Sequence, residues 1–191
     1  ETYTTGSQGG PQPWTRQTCN DIKSSTKSVF GTAVGVFLHE FGDQVSLETP
    51  VVGTSIDDSL IPQIWEQPLT DARKQAICVK HALSMTSGHQ SREPWLAPTP
   101  RVHTAGYTGP LQMYEYCFGW WRFEGVPAQD TLMFEPGTDW NYSNYGLEQL
   151  ALAIRNISHE EVGTFVFDRV LKAIGMPSGL RNNCYKVMPY R

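Results

Sequence analysis

No stretch of this 191-residue sequence is long and apolar enough to span a bilayer; the longest apolar run, Val29 to Leu38, is short and includes Gly31 and Gly35. Residues 1 to 21 lack the pattern of a signal peptide. No run of lysine or arginine interleaves with aromatics, and the formal charge is only −4, so nucleic acid is not an expected partner. Cys19, Cys78, Cys117 and Cys184 form no CxxC pair, and no histidine stands at zinc-finger spacing, so neither a metal site nor a cofactor is expected. Two disulfides in an oxidising compartment and four buried thiols fit these cysteines equally. An extracytoplasmic setting, periplasmic or secreted, is the leading expectation, although the sequon-like triplets at Asn141 and Asn156 do not establish it. The repeated alternation of half-buried strands is also missing, as is any internal repeat. What remains, 39% hydrophobic and 18% charged, is enough apolar material for one globular domain with a sizeable core.

The segment from residue 1 to 21 is polar and rich in glycine, threonine and proline, which predicts a loop or arm that packs through Trp14. From Ser24 to about Phe41 the residues Val29, Phe30, Ala33, Val34, Val36, Phe37 and Leu38 cover more than one face of a helix, the mark of a buried one. Gly31 and Gly35 would admit a close backbone neighbour, and Gly42 would cap the helix end. A second helix is predicted over Asp71 to Met85, ended by "TSG", and a long loop over 88 to 110 of the kind that lines sites. The aromatic segment Leu111 to Gly125, with Trp120 and Trp121, reads as core or pocket wall. Helical spacing returns over Asn144 to Ile157 and Glu160 to Ile174. The fold class is therefore mostly α, divided into an arm (1–23), a helical subdomain (24–177) and a C-terminal tail (178–191).

Two short patterns carry chemistry. Ser24 and Lys27 stand three apart at a helix start and so share a face. A serine N-cap beside a lysine that snorkels to water accounts for that pair equally well. Tyr142-x-Asn144 likewise fits a packed tyrosine followed by an asparagine cap. Neither motif is specific alone; their order, with "PGT" before the second and an amphipathic helix after it, is.

With those residues in place the chain resembles the serine beta-lactamase and penicillin-binding-protein superfamily, in its class C, esterase and amidohydrolase branch. "SSTKSVFGTAVGVFLHEFG" looks like the nucleophile helix and "VSLETPV" like the turn after it. "ICVKHALSMTSG" looks like the helix and loop lining the site, "FEPGTDWNYSNYGLEQLALAI" like the second motif with its helix, and "FVFDRVLKAIGMP" like the helix that closes the subdomain. The resemblance implies the helical subdomain of an α+β fold. It makes Ser24 the nucleophile, Lys27 its proton acceptor, Tyr142 a second base or proton shuttle, and Asn144 a group that hydrogen-bonds Lys27 or the substrate. Trp120 and Trp121 become candidate substrate-binding residues.

A serine hydroxyl is a weak nucleophile until a neighbour takes its proton. A lysine sheltered by Val29, Phe30 and the aromatic segment could do so as a neutral amine, and the helix start would favour negative charge beside Ser24. The expected reaction is acyl transfer or hydrolysis of an ester, amide or beta-lactam carbonyl on a small-molecule or peptide-like substrate, through an acyl-enzyme intermediate. The family's third motif, Lys/His-Thr/Ser-Gly, and most of its antiparallel sheet have no counterpart in these residues. The expectation is thus a fragment or cleaved subunit, completed by further residues or by a second chain. A non-catalytic relative that binds a penicillin-like or peptide ligand, or serves as a structural partner, is the alternative; a plain helical domain is the third reading.

Overall fold

Thr26–Glu40 form helix α1, with Phe30, Ala33, Val34 and Phe37 buried. That spacing is a single stripe along one side of a helix. The structure, a computed structural model, describes residues 22–51, 69–90 and 131–177. In it Val29, Val36 and Leu38 only lean on the core from the flanks of the stripe, so the expected all-round burial of α1 is not found among the described residues. The two glycines of α1 also differ from expectation, because a Cβ at Gly31 or Gly35 would meet nothing within 4 Å. The helix ends where the Phe41 N–H donates to Phe37 O at 2.9 Å and Phe41 O accepts from Gln44 and Val45. Gly42 is not in the left-handed region; its hydrogen is needed because a Cβ would lie 2.9 Å from Leu38 O.

The helix predicted over Asp71 to Met85 is two pieces: a 3-10 helix, Ala72–Ala76, and an α-helix, α2, Val79–Leu83. Between them Ile77 and Cys78 are extended. Their backbone groups turn outward to residues 49–51: Val51 N–H donates to Ile77 O, Val79 N–H to Thr49 O, and Cys78 bridges to Pro50. Pairing across the chain thereby replaces two helical bonds, which is how the turn after α1 is tied to α2. Met85, at φ 59°, takes the left-handed conformation just past the end of α2.

Helix α3 spans Tyr145–Ser158 and helix α4 spans Val162–Val166, which continues as a π-helical turn, Phe167–Leu171. The α3 stripe of Leu150, Ala151, Ala153 and Ile154 meets Phe165, Val166 and the α1 stripe in one core. Phe37 sets its ring edge-on to Phe165 at 6.2 Å. Each fully buried side chain of this size contributes about 1.5 to 3 kcal/mol. Arg169 closes the outer side, donating to both oxygens of Glu160 (2.8 and 2.9 Å) and to Glu40 at 2.7 Å while stacking on Phe165. Gly146 lies directly on α2: a Cβ there would stand 2.9 Å from the Ala82 Cα. The described residues form no strand beyond the isolated bridge, and none of their helices is long and apolar enough to cross a membrane.

Candidate active site

Ser24 sits in a 3-10 turn, Lys23–Ser25, that runs into α1. The capping account of its neighbourhood fails, since Ser25 at the N-cap position is already helical (φ −61°, ψ −21°) and makes no side-chain capping bond. The Ser24 hydroxyl instead accepts a hydrogen bond from Lys27 Nζ at 3.1 Å and shares one with the Tyr142 hydroxyl at 2.7 Å. Lys27 Nζ also lies 5.1 Å from the centre of the Tyr142 ring. The structure thus brings together three predicted residues, two of them 118 positions apart in the chain.

Tyr142 is delivered by a segment running beside residues 85–89. Met133 N–H donates to Gly88 O at 2.8 Å, Gly137 N–H to Thr86 O at 2.8 Å, and Asn141 N–H to Met85 O at 3.1 Å. The Asn141 side chain adds a bond to His89 O at 2.7 Å. Gly88 is obligatory in this pairing: its φ is +84°, and a Cβ would fall 2.5 Å from Phe134 O. The near end of the segment is clamped by two residues that the motifs do not contain. Asp71 accepts the Leu132 N–H at 2.8 Å, and Arg73 donates to Leu132 O at 2.8 Å and to Glu135. The Arg73 guanidinium bonded to Asp71 holds that carboxyl down at about 2; burial opposes the shift, and the Leu132 and Arg73 N–H groups reinforce it.

The site is open. Ser24 is exposed, Lys27 half-buried and Tyr142 38% exposed, because the buried stripe of α1 begins only at Phe30, past this first turn. The predicted apolar shelter for Lys27 is therefore not supplied by the described residues; the aromatic segment, with Trp120 and Trp121, lies outside them. Asn144 stands at the N-cap of α3 but makes no capping bond, and Ser143 Oγ takes the Tyr145 N–H instead. Among the described residues the Asn144 Oδ1 is buried without a partner and no hydrogen bond joins it to Lys27. The predicted contact with Lys27 is thus not made, and the oxygen is left as an acceptor for another donor. Cys78 carries a free thiol; the other cysteines lie outside the described residues. Among the described residues no three His, Cys, Asp or Glu side chains are grouped to hold a metal ion.

Sequence reasoning missed Asp71 and Arg73, whose role depends on a fold contact; Trp140, two residues before Tyr142, is 60% exposed.

Residues 2–179 match the family profile described as beta-lactamase. The chain belongs to the beta-lactamase family. Its described residues are the helical subdomain of that family's α+β fold. Among solved structures it is similar to a D-stereospecific amidohydrolase from Streptomyces sp., at 22% identity and a TM-score of 0.48, over 80% of this chain and 41% of that one. The chain therefore spans under half the length of that relative. No curated protein matches the sequence.

Proposed function

We propose that this beta-lactamase family member is a serine hydrolase that cleaves an ester, amide or beta-lactam carbonyl through an acyl-enzyme on Ser24. The observation that carries the reading is the Ser24 hydroxyl held at once by Lys27 (3.1 Å) and Tyr142 (2.7 Å). When Lys27 donates to the serine oxygen, the single serine proton is directed to the tyrosine oxygen. Tyr142 takes that proton in its phenolate form and becomes a neutral phenol, leaving the negative charge on the serine oxygen. The serine oxygen attacks the substrate carbonyl, and the tetrahedral oxyanion forms near the Ser24 N–H at the opening of α1. Tyr142 returns its proton to the departing oxygen or nitrogen as the carbonyl–leaving-group bond breaks. Water then gives a proton to Tyr142 and its oxygen to the acyl carbon; as the bond from the acyl carbon to Ser24 breaks, Tyr142 returns that proton to the serine oxygen and the acid is released.

Asn144 is the further residue proposed to bind a small-molecule or peptide-like substrate, which would have to uncover its buried Oδ1 to donate an N–H to it. A second oxyanion donor from further residues or another chain would complete the site, and an extracytoplasmic setting suits substrates of this kind. The test is covalent labelling by a fluorophosphonate followed by mass, together with turnover of a chromogenic ester. Ser24→Ala should abolish both, with activity falling at least about 10⁴-fold. Labelling that survives the substitution would refute the assignment, and stoichiometric acylation without release would indicate a penicillin-binding-like ligand binder instead.

A further inference from the structure

We infer that Trp140 sets the substrate preference of this site, as a stacking surface for an aromatic group on the leaving side of the scissile bond. The inference rests on the proposed role of Ser24 and Tyr142 and adds the substrate class. From Trp140 to Ser143 the chain carries neither helix nor turn, and exposure alternates along it: Trp140 is 60% exposed, Asn141 half-buried, Tyr142 38% exposed and Ser143 buried. Such alternation is what an extended segment gives, with successive side chains on opposite sides. Asn141 is fixed on the inner side by its bond to His89 O, and Tyr142 reaches Ser24 from the outer side. Trp140 therefore shares the outer side with Tyr142, about 6.7 Å along the chain, two extended residues.

An isolated exposed aromatic needs no explanation, but this one neighbours the group that returns a proton to the leaving atom. Whatever is bonded to that atom must lie beside Tyr142, within reach of a large apolar face that packs on nothing else in a described ring pair. An indole favours a flat aromatic partner over a short alkyl one through stacking and area. The preferred substrates are accordingly esters or amides with a benzyl-like leaving group.

The test compares benzyl and ethyl esters of N-acetylglycine, whose leaving alcohols differ little in acidity, by kcat/KM on the full chain. Trp140→Ala should lower the benzyl-to-ethyl ratio roughly tenfold, while Trp140→Phe retains most of it. An unchanged ratio in Trp140→Ala, or an equal loss in Trp140→Phe, overturns the inference. In parallel, Ser24→Ala protein is titrated with both esters by ligand-observed NMR. It should bind the benzyl ester more tightly, and adding Trp140→Ala should erase that difference; no preference, or one that persists, also overturns it. If the parent chain hydrolyses neither ester, the Ser24 reading fails and the binding comparison alone decides Trp140.

Discussion

The two ends of α1 do different work. At its C-terminal half Phe37 is sealed between Phe41 and Phe165, and the helix is held by area and shape. At its first turn Ser24 is exposed, and what holds it are two hydrogen bonds to groups that themselves face water. A solvent-facing bond of that kind contributes little to stability, so the polar end is present at almost no benefit to folding. The contrast teaches that one helix can be anchored by its far half while its opening turn stays available for chemistry.

The sharpest way to break this comparison, after removal of the Ser24 hydroxyl itself, is Tyr142→Phe. It deletes one oxygen from an open site, so activity should fall by about 10² to 10⁴-fold while the denaturation midpoint moves within about 0.5 kcal/mol of the parent. A large midpoint shift in urea would show that the two ends are not separable. Phe165→Ala is the converse. It should cost about 3 to 5 kcal/mol in chemical denaturation, with kcat of the folded fraction retained.

A smaller effect lies between the two ends, at the clamp on Leu132. Asp71 is 9% exposed, and its carboxyl is held at about 2 in the fold against an ordinary 3.8. Because the folded value is the lower one, its contribution is complete above pH 3.8 and disappears as the pH falls from 3.8 through 2. About 2 kcal/mol should be lost across that window, and Asp71→Asn should flatten the curve there while lowering stability at neutral pH. Thermal or urea titrations between pH 2 and 7 read it directly. The smallest effect is a gain: Gly35→Ala places a methyl in open space on α1 and should stabilise the protein by about 0.5 to 1 kcal/mol.

The grouping of Ser24, Lys27 and Tyr142 was legible because the order of the two motifs resembles that of the family, neither spacing being specific alone. The existence of α1, α3 and α4 was legible because their stripes repeat at helical period. The break at Ile77 and Cys78 was not, since it depends on Thr49 and Val51 offering partners from a distant part of the chain. Close approach is not found at Gly31 or Gly35, whereas Gly88 and Gly146 do carry it, and only the positions of Phe134 and Ala82 reveal this. Exposure at Ser24 was also hidden, because a sequence shows how apolar a helix is but not where its buried stripe begins.

The contact between Gly146 and Ala82 bears on how this protein could acquire new substrates. Just past Tyr142, at the opening of α3, the backbone is seated with no spare volume. Any bulk added at position 146 would push the helix start, and the phenol with it, away from the nucleophile. Variation that redirects selectivity should therefore accumulate on the outward face around Trp140, while position 146 admits almost none.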